Sequence, residues 1–214
     1  GGNDTLAAAN AARRAERLGA DALLLTTPYY NKASSAGIVR HFTYVAEHSE
    51  LPLIAYNVPG RTGVFCTPEH YARLAELTRI NGVKEASGDI SLVSRTRHLC
   101  GDALNVWSGN DDQTLPMLAL GAKGVISVAS NIVPQVMTTL CGAALSGDFF
   151  TARAIHEAYA GLFDALFFEV NPIPVKTAMQ MLGWDSGRLR LPLCPMAEEN
   201  AAKLQKCMES LQLL

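Results

Sequence analysis

Lys84 is the residue of this chain best suited to covalent chemistry. It lies near the end of a short apolar run, residues 80–84, after which the chain becomes polar. An amine in partly apolar surroundings loses some of its preference for the charged form, so a neutral amine that can attack a ketone is available near neutral pH. The alternative, from position alone, is a strand-end lysine that reaches solvent or pairs with a carboxylate.

A second stretch, residues 53–63 (LIAYNVPGRTG), brings a phenol and a guanidinium close together in the sequence. Tyr56 would end a strand and Arg61 would follow in a tight turn. A phenol can transfer protons, and a guanidinium suits a carboxylate. Each residue alone could instead be a packing tyrosine or an exposed loop arginine. Together with Lys84 they indicate chemistry on a keto acid.

The composition favours a globular protein that acts on small molecules. The chain has 214 residues, 49% of them hydrophobic, and its 18 basic residues nearly balance its 20 acidic ones. Neither charge forms a run, which argues against a nucleic-acid or anionic-membrane partner. No apolar stretch is long enough to span a membrane, and five scattered cysteines without CxxC spacing argue against a disulfide framework or zinc site. These features predict a cytoplasmic location.

Nucleotide and metal cofactors have little support in the sequence. Residues 121–124 (GAKG) match neither the Walker spacing nor a dinucleotide-binding motif, and no GxSxG motif surrounds Ser108. The histidines are predicted to lie on helices as surface or capping residues and not as ligands: His41, His48, His70, His98 and His156. We expect no metal site.

Helices and strands are predicted to alternate along the first two thirds of the chain. An alanine-rich helix begins after an N-cap at Asn3 or Asp4 and ends at Gly19, and a later helix is predicted to begin with Thr67 as its N-cap and Pro68 as its first residue. The continuously apolar residues 22–26 are typical of a buried parallel strand. Five strands are predicted, at residues 22–26, 53–55, 82–85, 104–107 and 124–128. Three helices without strands follow, at residues 152–168, 172–182 and 197–211.

By pattern alone, five strand–helix units most economically form an open, doubly wound sheet of flavodoxin-like order. An eight-stranded barrel would require more strands. In both architectures the chemistry lies at the carboxyl ends of the strands. Polar and turn residues are concentrated there in this chain, at residues 26–30, 56–57, 84–85 and 108–111.

Taken jointly, six motifs resemble the dihydrodipicolinate synthase family of class I, pyruvate-dependent aldolases. They occur in the expected order over nearly the whole chain: residues 27–31 (TPYYN), 56–63 (YNVPGRTG), 83–89 (VKEASGD), 108–111 (SGND), 124–128 (GVISV) and 171–176 (NPIPVK). Sister aldolases, such as N-acetylneuraminate lyases and keto-sugar-acid aldolases, share the tyrosine and lysine. They do not typically carry the YNVPxRT form, so the resemblance favours the synthase.

The resemblance implies an α/β fold, a (β/α)8 TIM barrel with extra C-terminal helices, in place of the open five-stranded sheet. Residues 1–147 would form strands 4 to 8 of the barrel with their helices, and residues 148–214 the C-terminal helical region. Residues 1–5 (GGNDT) look like the stretch that follows the third barrel strand. About the first three of the eight units would then be missing.

The resemblance also implies the reaction and the residues that perform it. Lys84 would condense with pyruvate to an imine, whose enamine attacks L-aspartate semialdehyde, and the product of this step in lysine and diaminopimelate biosynthesis is 4-hydroxy-tetrahydrodipicolinate. Tyr56 would transfer protons near the imine, and Arg61 would bind the carboxylate of the semialdehyde. Backbone atoms of Gly109 and Ile126 would line the pyruvate pocket. No cofactor is needed because the imine is formed with the substrate itself.

Further expectations concern assembly and regulation. Tyr30 matches a tyrosine that completes a proton relay in a neighbouring subunit, so we expect a homo-oligomer, commonly a tetramer of two tight dimers. The relay threonine of the family, in a Gly-Thr-Thr stretch, has no match here. Asn3 and Tyr29 match a lysine-effector site, where Ala7 replaces the usual glutamate. Two alternatives stay open: a sister aldolase, and a truncated, non-catalytic fragment or interaction subunit.

Overall fold

A computed structural model describes all 214 residues, which form two compact units, Gly1–Ile126 and Ser127–Leu214. The first unit is α/β. Its elements are α1 (Thr5–Arg17), β1 (Leu23–Thr26), α2 (Ser35–Ala46), β2 (Leu53–Asn57), α3 (Pro59–Thr62), α4 (Pro68–Ala75), β3 (Ile80–Glu85), α5 (Ile90–Cys100), β4 (Asn105–Ser108) and α6 (Thr114–Ala119), with short 3-10 helices at Gly101–Ala103 and Asp111–Gln113.

The four strands form one parallel sheet in the order β1-β2-β3-β4. Each strand therefore pairs with the next one along the chain. The flavodoxin-like order expected from the pattern alone is wrong, because that order places the first strand between the second and third. Sequential parallel pairing is the order found in a (β/α)8 barrel.

The predicted fifth strand, at residues 124–128, is reduced to a single bridge between Val125 and Ser108. The Ser108 N–H donates to the Gly124 carbonyl (2.9 Å), and the Ile126 N–H donates to the Ser108 carbonyl (2.8 Å). Pairing ends there because the chain then turns: the side-chain oxygen of Ser127 accepts from the Ser130 N–H at 2.8 Å. The prediction of a full strand was wrong, although its place beside β4 was right.

The sheet has one covered and one open face. Alternate residues Leu25, Ala55, Val83 and Val106 are at most 4% exposed and form the core with the helices. The residues between them on β1 and β2 are only partly covered, and Leu24 is 43% exposed. The expectation that residues 22–26 are buried throughout was therefore wrong. β1 is the edge strand of this unit, and nothing in the unit covers its open face.

Local signals at the helix ends agree with the predictions. Asp4 is the N-cap of α1, with its carboxylate accepting from the Ala7 N–H at 2.8 Å, and Gly19 follows the helix with a φ of 85°. Thr67 is the N-cap of α4 and Pro68 its first residue. These positions satisfy backbone groups that a helix cannot satisfy internally.

The second unit is helical. It consists of a 3-10 helix (Ala129–Asn131), α7 (Pro134–Leu145), α8 (Phe149–Ala165), α9 (Ile173–Met181) and α10 (Glu198–Ser210). Leu162 of α8 and Leu166, the residue that follows this helix, are fully buried. The unit includes α7, which the resemblance assigned to the barrel portion ending at residue 147. That boundary stays a prediction, since compactness and barrel membership are different properties.

None of the helices of either unit combines the length and the apolar character needed to cross a membrane. The five cysteines are free thiols: Cys66, Cys100, Cys141, Cys194 and Cys207. No group of three or more His, Cys, Asp or Glu side chains is arranged to hold a metal ion.

Candidate active site

Lys84 and Tyr56 are direct neighbours on the open face of the sheet. They are partners in the β2–β3 register, and the Lys84 ammonium nitrogen lies 4.4 Å from the centroid of the Tyr56 ring. Both side chains are half-buried. Two residues 28 positions apart meet because both end parallel strands and point to the same face. The structure thus brings the predicted amine and phenol together.

The surroundings shift the pKa values of both groups in the directions that a nucleophilic amine and a proton-donating phenol require. Burial lowers the pKa of Lys84, the Asp111 carboxylate raises it in part, and the Arg61 guanidinium lowers it. Burial raises the pKa of Tyr56, and Arg61 offsets part of that rise. The neutral, nucleophilic amine therefore becomes more accessible, while the phenol keeps its proton at neutral pH and can donate it.

Gly109 leaves room for the lysine side chain. A Cβ built on Gly109 would lie 2.6 Å from the Ala86 Cβ and 3.0 Å from the Lys84 Cε, so a larger residue would displace the amine. The N–H of Gly109 donates to the Glu85 carbonyl at 2.7 Å, and that of Ile126 donates to the Ser108 carbonyl. Since both N–H groups are used in the sheet, each residue can offer a ligand only its carbonyl oxygen.

Arg61 lies on α3, one helical turn that replaces the predicted tight turn after β2. Pro59 begins this helix and Gly63 ends it in a left-handed conformation, with a φ of 68°. The buried Thr62 hydroxyl donates to the Val58 and Val64 carbonyls and holds the turn. Arg61 itself is exposed, and its charge acts on both Tyr56 and Lys84.

Tyr30 is not brought to the amine and phenol but points to solvent. Its side chain is 87% exposed, while its backbone has a φ of 71° and its N–H donates to the Thr62 carbonyl at 3.2 Å. A left-handed backbone is strained for a residue other than glycine. The loop thus holds a large aromatic side chain away from its own unit.

Asn3 and the loop after β1 lie together. The Asn3 carbonyl accepts from the Asn31 side-chain amide at 3.1 Å, and Tyr29 on the same loop is 43% exposed. The predicted effector residues thus share one region of the first unit. Ala7 is exposed in the first turn of α1, which carries no acidic residue.

The sequence interpretation missed a buried polar network behind Lys84. Glu85, 3% exposed, accepts from the Asn57 side-chain amide (3.2 and 3.0 Å), the Tyr71 hydroxyl (2.6 Å) and the Ser87 N–H (2.7 Å). Burial raises the pKa of Glu85, and these hydrogen bonds oppose the rise. Strand alternation could have revealed it: when Lys84 faces the open side, a carboxylate at the next position must enter the covered side.

Two further residues border this network. The Cys66 N–H donates to the Asn57 side-chain oxygen at 3.1 Å, and burial raises the pKa of the Cys66 thiol to about 12. Burial also raises the pKa of the Tyr71 phenol, so both groups stay protonated at neutral pH. Neither group can act as a nucleophile in this state.

The histidines only partly follow the prediction. His70 is a capping residue, since its Nδ1 accepts from the Thr67 N–H at 3.0 Å. His48 lies just beyond α2 and not within it, but it also caps that helix, because its Nδ1 lies 2.6 Å from the Tyr44 carbonyl oxygen. His41 is 3% exposed and was wrongly expected at the surface. It packs on the inner side of α2, where its Nδ1 is 2.9 Å from the Thr5 hydroxyl.

Comparison with known proteins agrees with this geometry. Residues 1–211 match the model of the dihydrodipicolinate synthetase family. A 4-hydroxy-tetrahydrodipicolinate synthase from Geobacter sulfurreducens is 49% identical over 214 residues, which are 100% of this chain and 74% of the relative. The chain therefore spans about three quarters of that relative's length.

Solved structures show the same fold. The crystal structure of dihydrodipicolinate synthase from Thermotoga maritima matches with a TM-score of 0.98 and 43% identity, over 100% of this chain and 74% of that one. The chloride-inhibited enzyme of Acinetobacter baumannii, complexed with pyruvate, matches with a TM-score of 0.98 and 40% identity over the same shares. These neighbours are TIM-barrel enzymes, which confirms the expected fold class. The chain belongs to the dihydrodipicolinate synthetase family.

Proposed function

We propose that this protein is a 4-hydroxy-tetrahydrodipicolinate synthase that condenses pyruvate with L-aspartate semialdehyde through an imine on Lys84. The observation that carries the proposal is the half-buried Lys84 amine, with its lowered pKa, 4.4 Å from the Tyr56 ring. The name shared by its relatives, and the pyruvate complex of one structural neighbour, support the same reaction.

The reaction begins with the neutral Lys84 amine attacking the keto carbon of pyruvate. A carbinolamine forms, and loss of water gives the imine, which draws electrons from the methyl group. Removal of a methyl proton yields an enamine. The enamine carbon attacks the aldehyde of aspartate semialdehyde to form the new carbon–carbon bond, and the semialdehyde amine then displaces Lys84 as the product cyclises.

Tyr56 is the proton carrier in this scheme. Its phenol is protonated at neutral pH and stands next to the amine, so it can donate when the carbinolamine loses water and when the aldehyde oxygen gains a proton. No cofactor enters the reaction as proposed, because the covalent imine itself stabilises the developing carbanion.

Arg61, Gly109 and Ile126 would bind the substrates. The exposed guanidinium of Arg61, on the turn after β2, can take the semialdehyde carboxylate in a bidentate contact. Carbonyl oxygens of Gly109 and Ile126 would border pyruvate. Tyr30 would serve the site of a neighbouring subunit in a homo-oligomer, commonly a tetramer of two dimers. The small-molecule substrates fit an enzyme of the cytoplasm.

Borohydride reduction in the presence of pyruvate tests the proposal. The polypeptide as its gene encodes it should gain one pyruvyl unit, and peptide mapping should place the adduct on Lys84. Lys176 serves as the internal control, because it is held in an ion pair with Asp185 at 2.9 Å. An adduct on Lys123 or Lys176 would contradict the assignment. The absence of any adduct would favour the non-catalytic alternative, and cleavage of N-acetylneuraminate would favour a sister aldolase.

A further inference from the structure

A buried carboxylate stands directly behind the proposed imine lysine. Glu85 follows Lys84 on β3, so the two side chains leave the strand on opposite faces. Lys84 is on the open face, and Glu85 is on the face that the helices cover. The reaction scheme gives Glu85 no contact with substrate. Its burial therefore requires another explanation, because a carboxylate removed from water is costly unless it is well hydrogen-bonded.

The partners of Glu85 come from three different segments. Asn57 ends β2, Tyr71 lies on α4, and Ser87 is in the turn after β3. Hydrogen bonds to an ionised acceptor are stronger and shorter than those between neutral groups. The carboxylate therefore joins the ends of two strands, a covering helix and a loop at one point.

This junction is in register with the reacting pair. On β2 and β3, Asn57 pairs with Glu85 and Tyr56 pairs with Lys84. Side chains alternate between the two faces of the sheet, and a shift in register would move both pairs together. A contact that holds Asn57 opposite Glu85 on the covered face therefore also holds Tyr56 opposite Lys84 on the open face. The Glu85 carbonyl in addition accepts from the N–H of Gly109, the residue whose missing side chain makes room for Lys84.

We propose that Glu85 is a positioning residue, whose buried carboxylate fixes the ends of β2 and β3 so that the Lys84 amine and the Tyr56 phenol meet. The proposal rests on the function proposed above for Lys84. Glu85 acts through geometry and not through its charge, since its carboxylate faces away from the amine. The charges that act on Lys84 are those of Asp111 and Arg61.

The test is the variant Glu85→Gln in the polypeptide as its gene encodes it. Glutamine keeps the size of the side chain but turns one acceptor into a donor, which then faces the Asn57 amide. We expect the rate constant of imine formation to fall about tenfold or more, because the reacting groups are misplaced. The rate is normalised to the number of chains that form an adduct with borohydride, so that unfolded protein does not count. The pH midpoint of that rate should not change. Glu76→Gln, at an exposed carboxylate after α4, is the matched control and should change neither quantity.

A swapped pair tests the hydrogen-bond geometry directly. In the double variant Asn57→Asp with Glu85→Gln, the glutamine amide can donate to the new carboxylate, and the Cys66 N–H keeps an acceptor. We expect imine formation to be slower in Asn57→Asp alone than in Glu85→Gln, because two carboxylates would then share one buried site. The double variant should recover most of the rate of the unmutated protein. A double variant no faster than Glu85→Gln would overturn the proposal.

Other outcomes are equally decisive. An unchanged rate per trapped chain in Glu85→Gln, with only a lower melting temperature, would show that Glu85 supports the fold alone. A shifted pH midpoint would show that it acts by charge. If Glu85→Gln does not fold, Tyr71→Phe removes a single donor, and an unchanged rate there would overturn the proposal. If the unmutated protein forms no adduct on Lys84, both the proposed function and the role of Glu85 are overturned. If the unmutated protein forms the adduct and the Glu85 and Tyr71 variants form it at the normal rate, only the role of Glu85 is overturned.

Discussion

The guanidinium of Arg61 acts on both titratable groups of the site at once. Burial lowers the pKa of Lys84 and Arg61 adds to this, whereas burial raises the pKa of Tyr56 and Arg61 offsets part of that rise. Its removal should therefore raise the pKa of Lys84. We expect Arg61→Ala to move the pH profile of imine formation to higher pH, because a more basic amine is neutral only at higher pH. Losing a charge-assisted carboxylate contact should also raise the KM for aspartate semialdehyde about ten- to a hundredfold. Steady-state kinetics across pH with both substrates measures the two effects.

Arg61→Lys separates these two roles. It keeps the positive charge, so the pH profile should remain close to that of the unmutated protein. It lacks the planar fork of the guanidinium, so the KM for the semialdehyde should recover only in part. If Arg61→Ala impairs pyruvate imine formation and semialdehyde use equally at every pH, Arg61 supports the fold and not the substrate.

At the scale of elements, the start of α4 is held by a histidine in the place where a capping box usually has Glu or Gln. The Nδ1 of His70 accepts from the Thr67 N–H, so the proton of the neutral ring is on Nε2, which donates to the Ser35 hydroxyl of α2 at 2.5 Å. The hydroxyl thus faces a donor and is not activated as a nucleophile. A protonated ring would lose the acceptor at Nδ1, and with it the cap.

This geometry predicts a loss of stability in acid. Burial lowers the pKa of His70 below its usual 6.5, so the folded state prefers the neutral ring. The contribution of His70 to stability is therefore complete above about pH 6.5 and is lost as the pH falls through that value towards the lower folded-state pKa. Urea unfolding at pH 8 and pH 5.5 should show a smaller pH effect in His70→Gln, whose side chain can still accept from Thr67. An equal pH effect in both proteins would show that another group causes the loss of stability in acid. One such group is His41, because burial lowers the pKa of its imidazole as well.

At the scale of the whole molecule, the family resemblance places Tyr30 in the active site of a neighbouring subunit, and its side chain points to solvent as that role requires. The protein should be a dimer or tetramer by light scattering. Tyr30→Phe and Lys84→Ala should each be nearly inactive, but mixing them should restore about a quarter of the activity, because half of the dimers pair the two variants and keep one complete site. No recovery in proven mixed dimers, or a fully active monomer, would mean that Tyr30 acts within its own chain or not at all.

Regulation is a second property of the whole molecule. Asn3 and Tyr29 are present at the predicted effector site, but Ala7 cannot pair with the α-amino group of lysine. A missing charge-assisted contact costs about one to two decades of affinity, so inhibition by lysine should be weak or absent. Titration of the activity with lysine measures this, and Ala7→Glu should lower the inhibitory concentration. Strong inhibition of the unmutated protein at micromolar lysine would show that another acid occupies this role.

Local chemistry in the sequence determined much of this protein. Lys84, Tyr56 and Arg61 were candidates because of their residue types and spacing, and their roles came from the family resemblance. The strands near them followed from runs of apolar residues. The helix ends at Asp4, Gly19 and Thr67 were predictable for the same reason, since a cap depends on only a few neighbouring residues. The barrel class, in contrast, came from resemblance, because the pattern alone favoured a different sheet order.

Only the tertiary structure decided how distant residues meet. Strand order depends on which edges pair across the whole unit, so periodicity could not distinguish the sequential order from the flavodoxin-like one. The single bridge at Val125 depends on where Ser127 turns the chain, and the exposure of Leu24 depends on what covers the sheet. The Glu85 network brings in Tyr71 and Asn57, which are 14 and 28 positions from Glu85, and a buried polar group reveals its function only once its partners are in place.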